Sequence, residues 1–207
     1  MPTVAMNDSP RLQPGANSKH AVQFYEDDRF LCEILADFSR DGLERGEAVI
    51  VVATAAHRRE VERRLTERGM EVCGLKESGQ LVLLDARQTL DTFMVGGTLD
   101  AERFVSNLRS VVVAASLGWT RGVRAYGEVV DLLWQAGNQD AAIQLEETWN
   151  AFAKTTSTRV LCGYAMDHFG EEGDAADFAR VCALHTDVQG AEASLLTGGR
   201  RARRGLA

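Results

Sequence analysis

Arg124, Tyr126 and Glu128 alternate along the stretch RAYGEVVDLLW at positions 124–134. A guanidinium, a phenol and a carboxylate at every second position share one face of a strand if the extended backbone persists that far. Together they can pair an anionic group, offer an aromatic wall and exchange a proton. The plainer alternative is an Arg–Glu ion pair with Tyr126 as half-buried packing. Beyond Gly127 the period changes, because Val129, Leu132 and Leu133 fall at i, i+3 and i+4, so a strand over 123–127 gives way to a helix starting near Glu128. The first N–H groups of that helix are unpaired and a glycine lets another group approach closely, which makes such junctions natural ligand positions in α/β proteins.

The elements that must position this junction follow from the rest of the pattern. Residues 20–25 alternate weakly and meet Glu26-Asp27-Asp28, an acidic start for a helix whose inner face carries Phe30, Leu31, Ile34, Leu35, Phe38 and Leu43. The run Ala-Val-Ile-Val-Val-Ala within 47–54 is short and β-branched, as in a strand buried on both faces, and Thr54 can cap a helix over 55–68. A third strand, 80–85, ends in Asp85. A helical segment follows through Phe93, then a Gly96-Gly97 break and a long helix over 100–117. After the focal strand, Gly137 ends a short helix and Asn138 caps the next, 139–155, which buries Ile143, Leu145, Trp149 and Phe152. Residues 160–166 form the last strand, followed by Asp167-His168-Phe169, a polar loop and a C-terminal helix over 175–185.

Five strands alternating with helices predict an α/β three-layer sandwich with a mainly parallel sheet. Parallel strands align their C-terminal ends, so one edge collects Tyr25, Glu26, Asp27, Thr54, Asp85, Gly127, Glu128, Asp167 and His168. Polar groups gathered at one edge of an apolar sheet are what a crevice site at a topological switch point requires, although some of them are simple caps. The candidate ligand residues are Tyr25, Glu26, Asp27, Arg124, Tyr126, Glu128, Asp167 and His168. Arg124 would pair an anion or orient Glu128, the two tyrosines would supply walls and hydroxyl donors, and His168 is either a pH-responsive ligand group or a satisfied loop histidine. His20 starts its strand, belongs to the opposite edge and is assigned a structural role. His57 and His185, on helices without carboxylates in any motif spacing, are assigned none.

The length of 207 residues suits one domain at 19–188 between a Pro-containing disordered leader, 1–18, and a flexible Arg-rich tail, 189–207. The net charge is −7; the arginines at 200, 201, 203 and 204 contribute +4, so residues 1–199 carry −11. An acidic body lacks the clustered cations of a nucleic-acid surface. Cys32, Cys73, Cys162 and Cys182 form no C-x-x-C pair and, without a hydrophobic signal segment, read as reduced thiols of a cytoplasmic protein. Apolar runs fall far short of a membrane span. Metal ligation by these scattered Cys and His residues has no motif to support it, and no cofactor is assigned.

HAVQFYEDD at 20–28, Gly46-Glu47 before the Val-rich strand, RAYGEVVDLLW at 124–134, and Leu145-Glu146 with Trp149-Asn150 together resemble the MEDS family. That is the methanogen and methylotroph sensory domain first defined from the regulator of dichloromethane dehalogenase. The resemblance covers about residues 19–185. It implies a fold related to the RecA and KaiC ATPases and a role in sensing small organic molecules. It also implies an output partner such as a histidine kinase, an anti-sigma factor or a transcription regulator, with a homodimer as a further possibility. The chain departs from those ATPases in having no G-x-x-x-x-G-K-[ST]. Where a phosphate loop would follow the first strand it has three carboxylates, which repel a triphosphate.

Three functions compete. A non-catalytic sensory domain leads. An enzyme or metal- or nucleotide-binding protein would use Glu128, Asp167 and His168 at the same edge, but no G-x-S-x-G or H-E-x-x-H supports it. A purely structural interaction module is the third, for which an exposed Trp134 or Trp149 would be the contact anchor.

Overall fold

Six extended segments, two of them made mostly of Val, Ile and Leu, form one sheet. A computed structural model describes residues 18–116, 122–169 and 175–190. Strand β1 (His20–Tyr25) leads into α1 (Asp28–Glu44), β2 (Ala48–Ala53) into α2 (Ala55–Glu67) and the short α3 (Val72–Glu77), and β3 (Leu81–Asp85) into α4 (Ala86–Asp91). A small hairpin, β4 (Met94–Val95) and β5 (Thr98–Leu99), precedes α5 (Ala101–Ser116). Then come β6 (Val123–Gly127), α6 (Val129–Gln135), α7 (Gln139–Thr155), β7 (Thr158–Ala165), a 3-10 turn (Met166–Phe169), α8 (Ala175–Leu184) and β8 (Asp187–Gln189).

The sheet order is β3-β2-β6-β7-β1-β8 and every neighbouring pair is parallel. The register aligns the ends: Val52 pairs with Gly127, Ala53 with Asp85, and Tyr25 with Ala165. One face packs Ala21, Tyr25, Val49, Val51, Tyr126 and Leu161 against α1 and α2. The other packs Val22, Phe24, Ile50, Ala125, Cys162 and Tyr164 against the helices from α4 to α8. Burial on both faces is why the central strands read as continuous apolar runs. Trp134 and Trp149 are both buried in this second core, against Tyr164 and Phe104 respectively.

The five expected strands are present, and the structure adds a sixth, β8, beside β1. Three residues at a sheet edge, two of them polar, carry no alternation to read. The strand includes Gln189, one residue inside the expected tail. The hairpin is equally short, and its turn uses Gly96 and Gly97 at φ 58° and 83°, the left-handed conformations a two-residue turn demands. Residues 1–17 of the expected leader, 170–174 of the expected polar loop and the tail beyond 190 lie outside the described residues. Among the described residues no helix is long and apolar enough to cross a membrane.

Arg124 sits near the start of β6, at the edge opposite Glu128. Sharing a face with Glu128 does not bring it to the same end, because four residues of strand separate them by about 13 Å. Its guanidinium instead pairs with Glu47 and with Asp41 (2.6 Å), donates to the Phe38 carbonyl (3.2 Å) and covers the Phe38 ring. Arg159 of β7 pairs with the second oxygen of Glu47. The expected Arg124–Glu128 relation is therefore replaced by a buried ionic cluster that joins α1, the turn between α1 and β2, β6 and β7. Gly42 of α1 makes room for it: a Cβ there would lie 2.8 Å from Arg124 Cδ and 2.9 Å from Val49 Cγ2. Gly42→Ala gains helix propensity but overpacks this contact, so it should lose about 1–3 kcal/mol in urea denaturation. An unchanged or raised stability would show that the cluster yields freely.

Candidate functional site

Glu128, the N-cap of α6, does not cap its own helix through its side chain. Its carboxylate crosses to the neighbouring strand-helix junction, where the Thr54 N–H donates to Oε1, while His57 Nδ1 lies 2.6 Å from Oε2. The Tyr126 hydroxyl donates to Oε2 at 3.3 Å. Glu128 is 2% exposed, so these donors, with the positive end of α2, replace the water it has lost. On its outer side His57 Nε2 is 3.5 Å from Asp28, the first residue of α1.

One turn into α6, Asp131 builds a second buried carboxylate centre. The Ala165 N–H donates to Oδ1 (2.9 Å), Gln135 donates to Oδ2 (3.0 Å), His168 Nε2 lies 2.9 Å from Oδ1, and the Tyr25 hydroxyl hydrogen-bonds the same side chain. Burial and the nearby Glu128 push the Asp131 carboxyl above the ordinary range, against the Ala165 N–H and His168. Burial, reinforced by these carboxylates, also pushes both the Tyr25 and Tyr126 phenols up, so they remain protonated donors. Burial opposes a charge on His57, but its hydrogen bond to Glu128 and the charges of Glu128 and Asp28 outweigh that and raise its pKa.

The structure thus brings Tyr25, Tyr126, Glu128 and His168 together at the carboxyl edge of the sheet. Glu26 is exposed beside them, and Asp27 caps α1 by accepting from the Arg29 N–H (2.7 Å) and pairing with its guanidinium. Asp167 is exposed on the 3-10 turn, and Arg124 is at the other end. His57 and Asp131 complete the site without having been singled out. Both occupy the third position of a helix that follows a strand. A side chain there reaches back towards the cap, which was the available signal.

Behind this network, on the other face of β6, lies an apolar cleft of about 590 Å³, its open mouth included. Ile50, Val52, Leu84 and Gly127 form its floor, Phe93, Phe104 and Trp149 its walls, and Thr89 and Asn107 its polar rim. Gly127 and Val129 border the cleft on either side of Glu128, so one backbone junction touches both.

The model of the methanogen/methylotroph, DcmR sensory domain family, MEDS, matches residues 19–186. The chain belongs to the MEDS family. The stretch 124–134 within that match carries both carboxylates of this edge, Glu128 and Asp131. No curated protein sequence matches the chain. Among solved structures it is similar to the KaiC-like protein PH0186 of the hyperthermophilic archaeon Pyrococcus horikoshii OT3. The identity is 13%, the TM-score 0.50, and the match covers 72% of this chain and 62% of that one. At that identity the likeness shows the fold, a KaiC-like α/β sheet flanked by helices.

His57 allows a test of the network. Its pKa is higher folded than unfolded, so its stabilisation is complete below the ordinary value of 6.5 and is lost as pH rises through the folded value. The stability difference between wild type and His57→Gln should therefore be greatest near pH 6 and shrink towards about pH 9 in urea denaturation. A difference that is constant, or grows with pH, would mean that His57 and Glu128 do not form a charged pair.

Proposed function

We propose that this MEDS domain is a non-catalytic receptor for a small neutral organic molecule, held in the apolar cleft at the carboxyl ends of β2, β3 and β6. The observation that supports it is the back-to-back arrangement at Gly127-Glu128-Val129. An apolar cleft adjoins one side of the junction and a buried, hydrogen-bonded carboxylate network the other. An apolar occupant gains by leaving water for that cleft, and Thr89 and Asn107 can orient one polar atom at the rim. Occupancy bears on Gly127 and Val129, and Glu128 transmits the displacement to Thr54 and His57 at the start of α2. Tyr25, Tyr126, Glu128 and His168 then serve as the relay around the ligand. The helix surfaces outside the sheet present the result to an output protein such as a kinase, an anti-sigma factor or a transcription regulator, in the cytoplasm.

Thermal-shift measurements with dichloromethane, short alcohols, benzene and small organic acids test this reading. At least one neutral probe should raise the melting temperature, because a ligand of the folded state stabilises by mass action. Val111→Trp, at the half-buried rim of the cleft, should erase that shift while preserving the far-UV spectrum. The reading fails if no neutral probe shifts the wild type, or if Val111→Trp responds unchanged.

A further inference from the structure

On the α7–α8 side of the sheet, His20 of β1, Cys162 of β7, Glu146 of α7 and His185 just after α8 converge. Their four ligand-type atoms all lie within 4.8 Å of one another. His20 Nε2 is 3.1 Å from Glu146 Oε2 and 3.4 Å from Cys162 Sγ, Cys162 Sγ is 3.3 Å from Glu146 Oε2, and His185 Nε2 is 3.3 Å from the same oxygen. The side chains of His20, Glu146 and His185 are fully buried. A tetrahedral ion with arms of about 2.0–2.3 Å needs ligand atoms roughly 3.3–3.7 Å apart. The cluster is already close to that spacing.

The hydrogen bonds show what the cluster lacks. His185 Nδ1 lies 2.8 Å from the Val181 carbonyl, and because a carbonyl only accepts, Nδ1 carries the proton. In the neutral ring, Nε2 then turns a lone pair towards a carboxylate. His185 Nε2 and Glu146 Oε1 both lack a hydrogen-bond partner despite complete burial. A lone pair facing a buried carboxylate is repulsive, so the contact needs positive charge between the two groups, which a second proton on His185 or a bound metal ion supplies. A histidine fixed through Nδ1 to a carbonyl, with Nε2 free, is also how proteins hold a metal-ligating imidazole.

We propose that His20, Glu146, Cys162 and His185 form a binding site for one divalent transition-metal ion of the zinc type. Two imidazoles, a thiolate and one carboxylate oxygen suit zinc or cobalt, whereas calcium and magnesium need more oxygen ligands. Entry of the ion displaces the proton of the Cys162 thiol to solvent, and His20 takes the Nδ1–H tautomer so that Nε2 can ligate. The site is a clasp. Thr186, next to His185, donates from its N–H (2.7 Å) and its hydroxyl (2.8 Å) to the His20 carbonyl, so the ion would lock α8 and β8 onto β1.

The test uses the untagged, chelator-stripped 207-residue chain titrated with cobalt(II) and then zinc(II). One equivalent of cobalt should bind with a thiolate-to-cobalt absorption band, zinc should displace it, and the melting temperature should rise. Cys162→Ser should abolish the band, and Glu146→Gln and His185→Gln should weaken binding by at least about tenfold. Cys73→Ser removes an exposed thiol and should change nothing. Should the cluster variants fail to fold, X-ray absorption of the wild-type zinc complex decides: one sulfur with nitrogen and oxygen donors supports the site, and an all-oxygen shell overturns it. Wild type that retains no cobalt after gel filtration, or a thiolate band that disappears with Cys73→Ser, also overturns it.

Discussion

The carboxyl edge of this sheet depends on keeping the Glu128 carboxylate out of water. Removing such an ion from solvent costs several kcal/mol unless hydrogen bonds replace hydration, so its donors must be in place whenever the chain is folded. They come from the β2–α2 junction (the Thr54 N–H), the first turn of α2 (His57) and β6 itself (Tyr126). Asp131 imposes the same condition on β1 and β7 through Tyr25, the Ala165 N–H and His168. Two carboxylates at the cap and third positions of one short helix thereby fix the relative positions of four strands.

The same condition explains how this edge differs from a phosphate site. A helix N-terminus binds phosphate when its first N–H groups are free. Here Asp27 engages the start of α1, Glu128 the approach to α2, and Asp85 the start of α4, where it accepts from the N–H groups of Arg87 and Gln88. Carboxylates of the chain occupy positions that an anionic ligand would need. Gly163 contributes to the close packing: a Cβ there would collide with the Tyr126 hydroxyl, so glycine leaves that phenol the room to reach Glu128.

Much of this architecture was legible in the sequence. The strand at Val123–Gly127 and the helix at Gln139–Thr155 follow from a clear change of period and from Asn138 as cap. Parallel order then places Tyr25, Glu128 and His168 at one edge. What escaped was of two kinds. β4, β5 and β8 are two or three residues long and have no period. Alternation reports the face of a strand and not the position along it, which is why Arg124 and Glu128 share a face but lie at opposite edges. His57, Asp131 and the cluster around Glu146 depend on contacts across 16 to 142 residues, and no motif spacing records such distances.

Glu128 and Glu146 show how one side chain acquires two kinds of chemistry through its neighbours. Both are buried. Glu128 receives donors from a backbone N–H, an imidazole and a phenol, and both its oxygens are engaged. Glu146 accepts at Oε2 from the Cys162 thiol and meets both imidazoles there, while its Oε1 has no partner. The first is a closed network that holds its surroundings rigid, and the second leaves one oxygen open and is the one proposed to take a cation. The two regions meet on α7, where Glu146 in the histidine cluster and Trp149 in the wall of the apolar cleft are three residues apart and so neighbours on the helix surface. A helix is stiff along its axis, so α7 holds the wall of the cleft and the histidine cluster in one fixed relation on the same face of the sheet.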